Sequence, residues 1–125
     1  MALFYTEFLG LVCKDVQSEK QWWIATFDCK ETPMPDWDDP LPSDVALKLP
    51  GADEPTILLN DEAEVKRAGY DRSNNHPLIF CRKLSKAREY LRSRGVDPGP
   101  VQDGGAQFFE VSDREGNVIE ICEAP

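Results

Sequence analysis

The chain has 125 residues, 41% of them hydrophobic, enough to bury an ordinary core as one domain. Fourteen basic against twenty-three acidic residues give a net charge of −9, which speaks against the basic face that nucleic-acid binding needs. No run of about 18 apolar residues occurs, so no spanning helix is predicted.

The opening MALFYTEFLGLVCKD has no basic start and no small-residue cleavage site, so it reads as a strand over residues 3–13 rather than a signal peptide. Val16 to Phe27 reads as a helix, with Ser18 and Gln21 spaced as a capping box and Trp22 and Trp23 as core or interface residues. Pro33 to Pro42 holds four prolines and three acids around Trp37, a loop or lid that no central strand tolerates. Val45–Leu49 and Thr56–Leu59 read as strands across a Pro50-Gly51 turn. The polar residues 61–75 form a connector with a short helical suggestion at Ala63–Ala68, stopped by Gly69. His76–Cys81 is the next strand and Ser85–Arg94 the next helix, stopped by Gly95. Gln107–Val111 and Val118–Cys122 pair as a hairpin about Asp113-Arg-Glu-Gly-Asn117.

The pattern repeats. FLGLVCKDVQSEKQWW from Phe8 aligns with HPLIFCRKLSKAREYL from His76 at one constant offset, which sets Cys13 on Cys81, Lys14 on Arg82 and Trp22 on Tyr90. Such a duplication fixes the architecture. The domain is two modules, 1–60 and 76–125, joined by the connector 61–75. The four cysteines, 13, 29, 81 and 122, form no CxxC pair; three sit inside apolar strand-like runs, so they read as small buried thiols in a reducing, cytoplasmic setting.

Two residues stand out for chemistry. Glu120 sits in an apolar strand, NVIEIC, whose alternation points it away from Ile119 and Ile121. It either bonds to an arginine or backbone amides, or it holds a metal or a ligand cation. His76 is the only histidine, either structural or a ligand. No nucleophile elbow, HExxH, phosphate loop or dinucleotide fingerprint is present.

The closing FFEVSDREGNVIEI and the two strand–helix openings resemble the vicinal oxygen chelate superfamily, which includes glyoxalase I, bleomycin resistance proteins and extradiol dioxygenases. The resemblance implies an α+β fold of tandem βαβββ modules, an open, cup-shaped, mixed eight-stranded sheet with the site inside. Metal-using members carry ligands on the first and last strand of each module. Carried over, the second module supplies His76 and Glu120, whereas the first supplies Phe8 and Leu58 or Leu59, which cannot ligate. Catalytic sites need about three protein ligands.

The favoured expectation is therefore a metal-independent small-molecule binding protein. Its apolar cup is formed by Phe8, Leu58, Leu78 and Phe80, with His76 and Glu120 as polar points and Trp37 either closing over the ligand or folded onto the sheet. A cationic or aromatic ligand, no nucleic acid, no membrane and a homodimer complete it. The alternatives are a divalent-metal enzyme (lyase, epimerase, transferase or dioxygenase) using Zn, Ni, Mn or Fe at His76 and Glu120, and a scaffold or regulatory module.

Overall fold

The duplicated sequence folds as a duplicated unit. The computed structural model describes residues 2–72 and 77–125. A two-residue strand, β1 (Phe4–Tyr5), precedes the first module, which runs β2 (Leu9–Cys13), α1 (Val16–Phe27), β3 (Lys30–Thr32), β4 (Val45–Lys48) and β5 (Ile57–Asp61). The connector carries α2 (Glu62–Ala68). The second module runs β6 (Leu78–Cys81), α3 (Leu84–Ser93), β7 (Gln102–Asp103), β8 (Gln107–Ser112) and β9 (Val118–Glu123).

In each module the first strand lies parallel beside the last, β2 by β5 and β6 by β9, as a helical crossover allows. The other strands follow antiparallel, giving the orders β2-β5-β4-β3 and β1-β6-β9-β8-β7. The fold is thus α+β with tandem βαβββ modules, its eight module strands carried as two sheets and β1 added to the second. Alternation sorts the faces: Leu9, Leu11, Ile57 and Leu59 turn toward the helices in one sheet, Ile79, Phe109, Ile119 and Ile121 in the other, all buried. The opposite faces form the cup.

Helix α1 is held at both ends by the second module. At its N-terminus, Glu115 in the β8–β9 turn accepts hydrogen bonds from the backbone N–H groups of Lys14 (2.8 Å) and Asp15 (3.0 Å). Within that turn, Asp113 Oδ1 accepts from the N–H of Glu115 (2.9 Å) and of Asn117 (2.8 Å), while Oδ2 accepts from Asn117 Nδ2 (2.8 Å). Gly116, at φ 85, takes the left-handed conformation the turn requires. One turn into α1, the fully buried Glu19 accepts the indole N–H of Trp23 at 3.1 Å and neighbours the carboxyl of Asp113. At the other end, Arg94 donates to both carboxylate oxygens of Asp28, each at 2.9 Å, and to the carbonyl of Ala25 at 3.0 Å. Tyr90 Oη adds a 2.7 Å bond to Asp28, and Phe4 packs edge-on against both Phe27 and Tyr90.

Four local expectations change. Residues 3–13 are two strands, because the chain changes sheets at Thr6–Phe8: Phe4 pairs with Cys81 on β6, whereas Leu9 pairs with Ile57 on β5. The cap of α1 is Asp15, whose side chain accepts from Ser18 N (3.1 Å) and Ser18 Oγ (2.9 Å), rather than Ser18 itself. The short edge strands β3 and β7 carry too little apolar pattern to stand out in sequence. Cys122 is half-buried, unlike Cys13, Cys29 and Cys81. Among the described residues no helix is long and apolar enough to cross a membrane.

The Glu19 carboxyl is pushed up to about 8, raised first by burial and then by the neighbouring Asp113 carboxyl, against the opposing indole bond. A carboxyl that keeps its proton in the fold but ionises near 4.5 when unfolded stabilises the fold fully below that value. The contribution fades as pH rises and is lost above about 8. Glu19→Gln keeps a neutral group at that place. Wild type should therefore lose stability relative to Glu19→Gln by up to about 1.4 kcal/mol per pH unit between about pH 5 and 8. Denaturant midpoints measured across that range check this; parallel curves for the two proteins would contradict it.

Candidate ligand site

The cup begins with the alternation of β2 and β5. With Leu9 and Leu11 turned to the core, Gly10 and Val12 face the other way, and register places Leu58 opposite Gly10 and Asn60 opposite Val12. These residues floor a cavity of about 780 Å³. Pro77 and Leu78 close it from the second module, Asp71 and Arg72 from the connector, and Trp37 and Asp38 from the proline-rich loop. The walls are mainly hydrocarbon, with a few polar groups, the usual character of a small-molecule pocket.

Trp37 meets Phe8 edge to face, the ring centroids 5.6 Å apart at 83°. Phe8 is still 57% exposed, so the pair stands at the open rim rather than in a filled core. The loop behind Trp37 is anchored at its far end. Asp44 accepts from Leu41 N (2.8 Å) and from the buried Asn60 Nδ2 (2.6 Å), and Glu64 of α2 accepts from Ser43 N (2.9 Å). The lid is thereby tied to both the cavity floor and the connector.

Of the residues singled out from sequence, Phe8, Trp37, Leu58 and Leu78 line this cavity. Leu58 is the cup-facing residue of its pair, since Leu59 is fully buried on the helix side. Phe80 does not line it; its ring stacks on Tyr5 at 5.4 Å farther along the second sheet. Glu120 also lies outside the lining, although it pairs in register with Leu78. For all the apolar character of its strand, Val118 is exposed and Glu120 only half-buried, so the carboxylate keeps access to water. His76 lies outside the described residues.

Sequence reasoning missed Gly10, Val12, Asn60 and Arg72. The alternation running from Phe8 and Leu58 pointed to the first three. Nothing in the polar connector marked Arg72.

The first-module positions where the resemblance implies metal ligands hold no donors. Phe8 and Leu58 present only carbon, and among the described residues no three His, Cys, Asp or Glu side chains gather as a metal site. Cysteine chemistry has little to work with either. Burial pushes the Cys29 thiol up to about 12 and Cys81 to about 11, and raises Cys13 and Cys122, so none of them tends to a thiolate at neutral pH.

No protein-family model and no curated protein matches the sequence. Solved structures are similar over nearly the whole chain. A lactoylglutathione lyase from Agrobacterium tumefaciens superposes with a TM-score of 0.71 at 16% identity, over 96% of this chain and 93% of that one. TnmS3, an antibiotic binding protein from Streptomyces sp. CB03234, gives 0.68 at 18% identity, over 100% and 99%. A member of the glyoxalase/bleomycin resistance protein/dioxygenase superfamily from Sphaerobacter thermophilus DSM 20745 gives 0.68 at 18%, over 96% and 97%. The chain has the glyoxalase/bleomycin-resistance fold. Identities this low establish the fold and nothing of the chemistry.

Adjacent leucines test which face is which. Leu59→Ala should cost about 2–5 kcal/mol, as a fully buried truncation does, and Leu58→Ala less than about half of that, because its side chain borders a cavity. Urea denaturation of the two variants reads the difference; equal costs would reverse the assignment of faces.

Proposed function

We propose that the protein binds a small, largely apolar aromatic molecule in the cup, without a metal ion. The observation that carries this reading is the 780 Å³ cavity whose floor is Gly10, Val12 and Leu58 and whose rim is the Phe8–Trp37 pair. Apolar surface of that kind gains by covering a flat hydrocarbon body, and the tryptophan edge gives it an aromatic contact as well. The fold it shares with a protein described as antibiotic binding supports the same choice. A homodimer in a reducing, cytoplasmic setting belongs to this proposal, in keeping with four free cysteines. A divalent-metal enzyme is the weaker reading, because carbon stands at Phe8 and Leu58, where donors are needed.

A thermal-shift screen of planar aromatic compounds tests the proposal. A ligand present at a hundred times its Kd should stabilise the fold by about 2.7 kcal/mol. Leu58→Trp, which fills the floor, should abolish that response, and a chelator should leave it intact. No stabilisation by any compound would favour a scaffold, and loss of binding with chelator would favour the enzyme.

A further inference from the structure

The charged residues of the cup are unequally placed. Asp38 and Asp71 line the cavity but are exposed to water, as are Asp36 and Asp39 beside Trp37. Solvated carboxylates of this sort contribute little to selecting a ligand. Arg72 differs. It lines the same cavity, it is half-buried, and its Nη1 is shielded from solvent without a hydrogen-bond partner. Among the described residues no carboxylate forms an ion pair with it. Its guanidinium carbon lies 4.8 Å from the centroid of the Tyr70 ring, a stacking contact that orients the planar fork without satisfying its donors. Tyr70 in turn follows Gly69, whose left-handed turn (φ 72) ends α2 and brings the chain to the cup wall. An under-satisfied guanidinium in a mostly apolar wall is costly as it stands, and an anionic acceptor relieves that cost.

We propose that Arg72 is the specificity-determining residue of the cup and selects aromatic ligands that carry an anionic group, a carboxylate, sulfonate or phosphate. The inference rests on the reading of the cup as a ligand site. It reverses the preference for a cation suggested by the acidic loop. The net charge of −9 repels anions at long range, so the selection is made locally, at the one half-buried cation among the described residues of the lining. Arginine suits the task because its fork meets a two-oxygen anion with paired hydrogen bonds.

Two dyes that share one ring system separate the terms: anilinonaphthalene sulfonate and its uncharged parent, phenylnaphthylamine. Fluorescence titration of wild type should show the sulfonate bound roughly tenfold tighter or more, the scale of a charge-assisted hydrogen bond. Arg72→Gln should bring the ratio of the two affinities down to about one, with circular dichroism confirming its fold. Equal affinities in wild type, a sulfonate preference that survives in Arg72→Gln, or equal weakening of both dyes would each overturn the role of Arg72. If neither dye binds, or if Leu58→Trp leaves binding of both intact, the cup itself falls as the ligand site, a failure separate from that of Arg72.

Discussion

The clamp on helix α1 is the constraint on which the rest depends. The cup has walls from both modules, and among the described residues no hydrogen-bonded ladder joins the two sheets. Their relative position is set instead by what the second module does to the helix of the first. The Glu115 carboxylate satisfies two backbone donors just ahead of α1, and Arg94 and Tyr90 converge on Asp28 at its end. Helix ends are where backbone groups lack partners, so they are natural places for such a junction. The partly exposed Arg94–Asp28 pair adds modest energy but fixed geometry. Between them, Glu19 and Asp113 meet in the interior, where a pair of carboxyl groups is tolerable only while one keeps its proton.

This junction gives a physical meaning to the closing Asp-x-x-Gly-Asn turn. Its aspartate is spent on the turn's own backbone and on Asn117, its glycine on a left-handed bend, and its glutamate on the partner helix. None of these residues touches the cavity. The motif that signals the fold most clearly is therefore architectural, and the cavity is lined by less distinctive residues, among them a glycine, a valine, a leucine and one arginine.

Much of the fold was legible because it is written twice. The strand–Cys–helix repeat, the Gly69 stop and the hairpin around Asp113–Asn117 all follow local rules that tertiary contacts leave intact. Where reading failed, packing decided. The run from Leu3 to Cys13 looks like one strand because both halves are apolar, yet the two parts pair with different sheets. Glu19 has the sequence appearance of a solvated helix residue and is instead fully buried, since its partner lies almost a hundred residues away. The cup was half legible. Phe8, Leu58 and Leu78, which alternation sets on the concave face, line the cavity, whereas Phe80 and Glu120 share that face and are not part of the lining. Arg72 had no signal at all, because its place in the lining comes from where a left-handed turn delivers it.

The central claim is that the concave face between the two modules, rather than the helical side, receives the ligand. Backbone amide shifts of isotopically labelled protein titrated with an aromatic compound that stabilises it test this most directly. The account predicts that the changes concentrate at Gly10, Val12, Leu58, Asn60 and Leu78 and at the Trp37 indole. Changes confined to the α1 and α3 surfaces, with the Trp37 indole unmoved, would contradict it.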